Sequence, residues 1–341
     1  MKNSATIIPV SNSDCQVNSW KSQLKTAFSC AESLLQYLQI PAEEYHQLID
    51  NNPNFAVRVP IAFANKMSKG DINDPLLLQA LSVQQENIEI SGYTDDPLQE
   101  QQDHRPGLLH KYHGRVLLLL TGSCAINCRY CFRRHFPYQT SRKELNNLES
   151  NLNYIARHSQ IKEVILSGGD PLLISDSQLA ELIQKLEKIE HVKYLRIHTR
   201  LPVVIPDRVT ANLVHLLANT KLTTSLVIHS NHPNEIDQLT GRKLQQLVQS
   251  GTAVFNQSVL LKNVNDSPET LQLLSERLFQ YQVTPYYLHL LDPVKGAAHF
   301  DLSKQFASKL MRQMRSRMPG YLVPRLVREE PNQPSKTLIL S

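Results

Sequence analysis

From Arg115 onward, short aliphatic and β-branched runs alternate with amphipathic segments of helical length. This alternation predicts parallel strands joined by helical crossovers, and therefore an α/β fold. Six or so such units predict a partial (β/α)6 barrel. In barrels of this kind, ligands bind where the carboxyl ends of the strands meet the loops, so functional residues are expected there. The predicted strands are Arg115–Leu120, Glu163–Ser167, Tyr194–His198, Ser225–His229, Phe255–Leu261, Tyr286–Leu291 and Tyr321–Val327.

The chain divides by pattern into three parts: an N-terminal helical extension over 1–107, a barrel core over 108–318, and a C-terminal strand and short segment over 319–341. Within the first part, residues 19–39 carry leucine and phenylalanine at helical spacing and predict one helix. The stretch from Gly92 to Gly107 is polar and punctuated by proline and glycine, which predicts a long connection.

Composition fits an ordinary soluble globular protein, since 41% of the 341 residues are hydrophobic and 20% are charged. The formal net charge of +5, from 36 basic and 31 acidic residues, is too mild to favour nucleic acid as a partner. The N-terminus lacks the apolar core of a signal peptide, and the longest aliphatic run, Val116–Leu120, is too short to span a membrane. We therefore expect a cytoplasmic protein, in which the isolated Cys15 and Cys30 are ordinary reduced thiols.

The other three of the five cysteines lie together in GSCAINCRYCFRRHF, as Cys124, Cys128 and Cys131. Clustered cysteines in a reducing compartment indicate a metal site or catalysis. Structural zinc usually takes four ligands as two separated pairs, and here His113 or His135 would have to complete an irregular set. An iron–sulfur cluster usually takes four cysteines. Three cysteines on a [4Fe–4S] cluster leave the fourth iron open to bind another molecule.

The spacing C-x3-C-x2-C directly after a predicted strand resembles the signature of the radical S-adenosylmethionine superfamily. The resemblance implies a [4Fe–4S] cluster on the three cysteines and S-adenosylmethionine on the open iron. It also implies that the adenosylmethionine is cleaved to a 5′-deoxyadenosyl radical, which abstracts an unactivated hydrogen. The segment LSGGDPLL, after the second predicted strand, resembles the glycine-rich segment of the superfamily. Gly168, Gly169 and Asp170 are therefore expected to contact S-adenosylmethionine.

A denser resemblance, over roughly residues 100–340, is to the lysine 2,3-aminomutase family. It rests on HKYHGRVLLLLTGSCAINCRYCFRRHF, SGGDPLL, RIHTRLPVVIPDRVT, HSNHPNEI, NQSVLLKNVND and GYLVPRLVREEPNQPSK, which occur in this order. The family also uses pyridoxal 5′-phosphate, bound to a lysine that corresponds to Lys336. The family typically has a glycine-rich run before this lysine, whereas residues 332–335 read NQPS here. Without the resemblance, Lys336 would be interpreted as a solvated tail lysine.

The resemblance implies which residues bind the two ends of an amino acid substrate. Arg133 corresponds to the carboxylate-binding arginine, and a guanidinium suits a carboxylate through two parallel hydrogen bonds. Asp292 corresponds to one of two acidic residues that bind the far ammonium group. Glu329 corresponds to the second, where the family usually has aspartate, and the adjacent Glu330 is an alternative. Each of these glutamates would otherwise be interpreted as a solvated acid.

The remaining assignments concern the cofactors. Tyr112 and Arg115 correspond to positions near the phosphate of pyridoxal phosphate, with Lys111 as a weaker addition. Gln257 and His229 stand at strand ends and resemble positions that line the cofactor pocket on the S-adenosylmethionine side. A lone histidine at such a place is more often a structural residue with a hydrogen-bond partner.

Within the family, chain length, the glutamate at 329 and the short C-terminus resemble the branch called EpmB, which makes (R)-β-lysine for attachment to translation elongation factor P. A metabolic aminomutase that makes β-lysine for degradation or as an osmolyte is the alternative. A non-catalytic iron–sulfur sensor or RNA-binding module is an alternative from another class. The implied partners are L-lysine, an external electron donor, and a functional link to elongation factor P and its ligase, with a homo-oligomer possible.

Overall fold

The computed structural model describes residues 19–50, 53–102, 105–136, 147–331 and 333–340. Its central feature is a nine-stranded sheet in which every strand pairs with its neighbours in chain order. The strands are β1 (Leu108–Tyr112), β2 (Arg115–Thr121), β3 (Glu163–Gly168), β4 (Tyr194–Thr199), β5 (Thr223–His229), β6 (Ala253–Val259), β7 (Thr284–His289), β8 (Arg325–Arg328) and β9 (Thr337–Leu338).

Strands β2 to β8 all run parallel, with registers such as Val116 opposite Val164 and Leu226 opposite Val254. A helical segment follows each of β2 to β7, which confirms the expected six strand–helix units. Because neighbouring strands are parallel and sequential, their carboxyl ends all lie at one edge of the sheet. The loops and strand ends at that edge carry most of the predicted functional residues, whereas Tyr112 and Arg115 lie at the amino end of β2.

Twelve α-helices lie in the described residues. They are α1 (Trp20–Lys25), α2 (Ala31–Tyr37), α3 (Ala42–Tyr45), α4 (Ile61–Ala64), α5 (Pro75–Leu78), α6 (Leu148–Arg157), α7 (Asp176–Glu187), α8 (Leu201–Val204), α9 (Ala211–Asn219), α10 (Gln238–Gln249), α11 (Pro268–Gln280) and α12 (Lys304–Arg317). None of the described helices has the length and apolar character needed to cross a lipid bilayer.

Side-chain caps determine where the crossover helices begin. The side chains of Ser175, Thr210, Asp237 and Ser267 accept hydrogen bonds from backbone N–H groups in the first turns of α7, α9, α10 and α11. Such caps satisfy donors that have no partner inside the helix. The apolar faces of these helices pack on the sheet in one core that is rich in leucine, isoleucine and valine.

The sequence interpretation was wrong at several elements. The segment 19–39 forms two helices, α1 and α2, because Phe28 leaves the helical path and pairs with Val59 through two backbone hydrogen bonds. The predicted strand Tyr321–Val327 begins instead as a 3-10 turn over Gly320–Leu322, and β8 starts only at Arg325. The edge strands β1 and β9, both antiparallel to their neighbours, were not predicted.

The N-terminal segment packs into the same hydrophobic core as the sheet. Leu34, Phe63 and Leu76 are fully buried in one cluster with Val116 and Leu226 of the strands. The segment therefore lies directly against the elements that position the site. Cys30 is exposed, whereas Cys15 lies outside the described residues.

Candidate active site

A cavity of about 510 Å³ opens at the carboxyl edge of the sheet. Its volume lies within the range of ordinary small-molecule sites. Every predicted site residue lines it, although the residues come from separate parts of the chain. They are Tyr112, Arg115, Cys124, Cys128, Cys131, Arg133, Gly168, Gly169, Asp170, His229, Gln257, Asp292, Glu329 and Lys336.

The three cysteines lie in the loop after β2, where a tight turn brings two of them together. The backbone N–H of Cys131 donates to the carbonyl oxygen of Cys128 at 3.0 Å. Burial raises the pKa of the Cys124 thiol well above its usual range, and the neighbouring Cys131 adds to the effect. Burial and the nearby Cys128 raise the pKa of Cys131 to about 11. These raised pKa values mean that burial and mutual repulsion disfavour the thiolate forms of Cys124 and Cys131. A bound metal centre would stabilise those thiolates.

The mononuclear zinc alternative gains no support from the described residues. Among them, no group of three or more histidine, cysteine, aspartate or glutamate side chains is placed to hold a single metal ion. His113 is exposed and outside the cavity, and the Nε2 atom of His135 lies 3.0 Å from the carbonyl oxygen of Lys295. In an iron–sulfur cluster each thiolate binds a different iron, so the cysteines need not converge on one ion.

The glycine segment after β3 packs against the cysteine loop. The backbone N–H of Gly169 donates to the carbonyl oxygen of Thr121 at 2.6 Å, and that of Asp170 donates to Ser123 at 2.8 Å. Gly168 has a φ of +119°, a conformation that favours glycine. A Cβ on Gly169 would lie 2.1 Å from the carbonyl oxygen of Ser123. Only glycine allows this close approach of the two loops.

We expect Gly169→Ala to destabilise the protein by about 1–3 kcal/mol, the usual cost of forcing an extra methyl group into packed structure. The measurement is the denaturant concentration at the unfolding midpoint. Gly320→Ala is the control, because a Cβ there meets no atom within 4 Å. Equal midpoints for the two variants would contradict the close approach seen at Gly169.

Asp170 connects the glycine segment to the loop after β4. Its carboxylate accepts hydrogen bonds from the Thr199 hydroxyl at 2.6 Å and from the backbone N–H groups of Leu172, Arg200 and Leu201 at 3.1, 2.8 and 2.9 Å. The predicted role of Asp170 was contact with S-adenosylmethionine. Its carboxylate makes these four contacts within the protein and fixes two site loops to each other, and contact of Asp170 with S-adenosylmethionine stays a prediction.

Lys336 lies just before β9, and the pairing of β9 with β8 brings it beside Glu329. The Lys336 ammonium donates to one carboxylate oxygen of Glu329, and the Tyr112 hydroxyl donates to the other at 2.5 Å. Burial tends to raise the pKa of Glu329, but Lys336 and Tyr112 outweigh it and hold this pKa below its usual value. Glu330 contacts Thr337 and does not line the cavity, so Glu329 is the glutamate that faces the site.

Asp292 follows β7 and is buried at the cavity wall. Its Oδ1 atom has no hydrogen-bond partner among the described residues. Burial raises the pKa of Asp292 to about 7, although Lys336 opposes this shift. A buried carboxylate oxygen without a partner is costly, and a donor from a ligand would satisfy it.

Sequence reasoning missed Glu100, which is buried beside Arg133. Its carboxylate accepts from Arg133 Nε at 2.6 Å and Nη2 at 3.0 Å, and from the Lys111 ammonium at 2.8 Å. Burial works against ionisation, yet Arg133 and Lys111 lower the pKa of Glu100 to about 2. Glu100 lies in a 3-10 turn within the predicted polar connection, and no local pattern distinguishes it from the surrounding polar residues.

The remaining cavity wall is polar and aromatic. The Arg115 guanidinium lies 4.2 Å from the centre of the Tyr112 ring, and Gln257 Nε2 lies 2.9 Å from His229 Nε2. Burial lowers the pKa of His229 to about 3, so its imidazole is neutral. The Nε2 atoms of His198 and His289, which also line the cavity, have no hydrogen-bond partner in the described residues.

Comparison with known proteins then identifies the family. Residues 118–273 match the radical S-adenosylmethionine superfamily. A protein from Haemophilus influenzae named L-lysine 2,3-aminomutase is 48% identical over 94% of this chain and 95% of its own length. The Escherichia coli protein of the same name is 48% identical over 93% of each chain. The chain belongs to the lysine 2,3-aminomutase family. A more distant member, from Clostridium subterminale, is 34% identical over 96% of this chain and 79% of its own length.

Members of the lysine 2,3-aminomutase family are isomerases, and membership implies a [4Fe–4S] cluster, S-adenosylmethionine and pyridoxal phosphate. The cysteine loop fits the first of these groups by its donor chemistry, since it offers three half-buried thiols at one cavity wall. The other end of the cavity fits a polar ligand with a carbonyl group, because it presents the Lys336 amine together with the unpartnered polar atoms of Asp292 and His289.

Proposed function

We propose that this protein is a pyridoxal phosphate-dependent lysine 2,3-aminomutase that converts L-lysine into (R)-β-lysine, and that the product serves the modification of translation elongation factor P. The proposal rests chiefly on one observation. A single cavity is lined by the three cysteines of the radical S-adenosylmethionine motif and by the amine of Lys336. The two relatives that are 48% identical carry the name L-lysine 2,3-aminomutase.

The cofactors carry the difficult chemistry, and the protein binds and orients them. When bound, the cluster and S-adenosylmethionine supply an adenosyl radical that abstracts an unactivated hydrogen, and pyridoxal phosphate supplies a conjugated ring that spreads an unpaired electron. In the proposal, Cys124, Cys128 and Cys131 hold the cluster. The S-adenosylmethionine binds along the residues Gly168, Gly169, Asp170, His229 and Gln257.

At the other end, Lys336 anchors pyridoxal phosphate, and Tyr112 and Arg115 lie near its phosphate. Arg115 supplies a positive charge that attracts a phosphate dianion, while Tyr112 holds Glu329. Glu329 in turn keeps the Lys336 ammonium next to the cavity. Glu329 would therefore be an acidic partner for the Lys336 amine whenever that amine is not bound to the cofactor.

The charges of the cavity wall suit a diamino acid. Arg133 offers a guanidinium for the substrate carboxylate, and its orientation is fixed by Glu100. Asp292 and Glu329 offer two carboxyl groups for a far ammonium group. This arrangement favours lysine over glutamate, whose far end is negatively charged. It also favours an enzyme over a non-catalytic iron–sulfur sensor or an RNA-binding module, because neither needs a buried acidic pair beside a lysine amine.

The pH dependence of substrate binding tests the role of Asp292. Because the pKa of Asp292 is about 7, its carboxyl is neutral below that pH and loses its attraction for an ammonium group. KM for lysine is therefore expected to rise as pH falls through about 7. Asp292→Asn is expected to raise KM at alkaline pH about 10- to 100-fold, since hydrogen bonds to charged groups contribute roughly 1.5–3 kcal/mol.

The Asp292→Asn variant also provides the control for the pH effect. Asparagine does not titrate, so the rise of KM between alkaline and acidic pH should be absent in the variant. A variant that retains the full pH dependence of the native protein would assign that dependence to another group and remove Asp292 from ammonium binding.

The proposed branch rests on Glu329, which stands where the family usually has aspartate. The test is chiral chromatography of the product formed anaerobically from L-lysine by the reconstituted protein. An (R) product supports the proposal that the enzyme supplies β-lysine for the modification of elongation factor P. An (S) product favours the metabolic alternative. Arginine and ornithine in parallel reactions test whether another cationic amino acid is preferred. Four further expectations stay predictions. They are an external electron donor, a link to the elongation factor P ligase, assembly into a homo-oligomer, and the division of the chain into three parts.

A further inference from the structure

A buried arginine outside the assigned residues contacts one of the three cysteines directly. Arg200 follows β4, and only 6% of its surface is exposed. Its Nη1 atom donates a hydrogen bond to Cys128 Sγ at 2.7 Å. Arg200 also lines the cavity. A guanidinium is permanently charged, so the structure places a fixed positive charge on a cysteine that is proposed to bind the cluster.

A buried frame holds this guanidinium in place. Its Nη2 atom donates to Glu235 Oε2 at 2.9 Å and to Gln79 Oε1 at 2.8 Å. Neither Glu235 nor Gln79 has exposed surface. Glu235 is itself fixed by the backbone N–H groups of Asn231 and His232, which donate to its other oxygen at 2.8 and 3.0 Å. Arg200 therefore cannot turn away from Cys128 without breaking buried hydrogen bonds.

The backbone of Arg200 is fixed as well. Its N–H donates to Asp170 Oδ2 at 2.8 Å, and Asp170 belongs to the glycine segment that packs on the cysteine loop. The contact between Arg200 and Cys128 thus joins the N-terminal segment, through Gln79, to two loops of the sheet. A purely structural ion pair with Glu235 would not need the second guanidinium nitrogen to face a cysteine sulfur.

We propose that Arg200 is a positioning residue that raises the reduction potential of the iron–sulfur cluster through its hydrogen bond to Cys128. The inference rests on the proposed function only in that the cluster is held by the cysteines. Reduction adds one negative charge to the cluster, and a fixed cation beside a ligand sulfur stabilises that charge. Hydrogen bonds to cluster sulfurs and the local net charge are among the factors that set such potentials. Glu235 opposes the effect, but the guanidinium of Arg200 contacts the sulfur directly.

The test is a redox titration of the reconstituted cluster, followed by electron paramagnetic resonance, without lysine or pyridoxal phosphate. Arg200→Met is expected to make the potential more negative by at least a tenfold change in the redox equilibrium constant, about 59 mV for one electron. An unchanged potential in a variant with full iron and sulfide content would overturn the proposal. Because no aminomutase turnover is measured, the result is independent of whether lysine is the substrate.

Arg208→Met is the matched control. Arg208 is also a fully buried arginine on the segment after β4, but it binds the carbonyl oxygen of Leu172 and the carboxylate of Asp176 and lies outside the cavity lining. Its variant is expected to keep the native potential. A shift equal to that of Arg200→Met would show that loss of any buried arginine changes the cluster, and would overturn the proposal.

Arg200→Lys covers the case in which Arg200→Met does not take up the cluster. Lysine keeps the positive charge but lacks the planar guanidinium with its several N–H donors. It therefore cannot donate to Cys128, Glu235 and Gln79 in the same geometry. We expect a shift in the same negative direction and smaller than that of the methionine variant. If Arg200→Met yields no cluster and Arg200→Lys has the native reduction potential, Arg200 is needed for folding but does not set the potential. That result would contradict the proposal.

Discussion

Lys336→Ala protein is expected to form β-lysine at least about 10³-fold more slowly than the native protein, because it lacks the amine that is proposed to anchor the cofactor covalently. Its iron and sulfide content should be unchanged, since the cysteines lie in a separate loop. Borohydride reduction of the native protein loaded with pyridoxal phosphate is expected to fix the cofactor on the peptide that contains Lys336. Mass spectrometry of the digested protein then gives the labelled position.

Lys185→Ala is the matched control for this variant. Lys185 on α7 also pairs with a glutamate, Glu149, and 31% of its side chain is exposed, compared with 26% for Lys336. It lies outside the cavity lining, so its replacement should leave both activity and labelling unchanged. Undiminished β-lysine formation by Lys336→Ala, or labelling at another lysine, would remove Lys336 from its proposed role.

Cys128→Ala is expected to abolish cleavage of S-adenosylmethionine, with a loss of more than about 100-fold. Replacing a residue that merely supports a metal ligand already lowers metal affinity or activity roughly 10- to 100-fold. Replacing a ligand itself should lower them further. The variant should also hold less iron and sulfide after reconstitution. Binding of pyridoxal phosphate at Lys336 is expected to persist, because β8 and β9 position that lysine independently of the cysteine loop.

Cys30→Ala controls for the loss of a thiol in general. Cys30 is exposed, and its partner among the described residues is the nearby Ser33. Its variant should reconstitute and cleave S-adenosylmethionine as the native protein does. Full iron content and activity in Cys128→Ala would show that the three cysteines are not the cluster ligands, and the interpretation of the loop after β2 would be wrong.

The features that sequence predicts best here are those encoded locally. The spacing of Cys124, Cys128 and Cys131 depends on a few adjacent residues, and the inner strands show clear apolar runs. The short strand β9 has no periodicity, because two residues contain no pattern. Lys336 was found only through resemblance to a family, since nothing in its immediate sequence distinguishes it from a solvated lysine.

The buried polar contacts of the site could not be predicted, because their partners are distant in the sequence. Glu100 binds Arg133, which is 33 residues away in the sequence. Arg200 binds Cys128, which is 72 residues away, and Gln79, which is 121 residues away. Each of these side chains stands in a locally unremarkable polar or mixed segment. Only the fold brings the N-terminal turn at Glu100 and the loop after β4 to the cavity. The same explanation covers the orientation of Asp170 toward the protein.

Transfer of deuterium from lysine tests the central claim, that one cavity brings the adenosyl radical to lysine, most directly. The reconstituted protein is incubated anaerobically with L-lysine deuterated at Cβ, with S-adenosylmethionine, pyridoxal phosphate and a strong reductant. The account predicts β-lysine that carries deuterium at its Cα, together with deuterium in the recovered S-adenosylmethionine. Deuterium-free S-adenosylmethionine and unchanged lysine, from protein shown to hold both the cluster and pyridoxal phosphate, would contradict it.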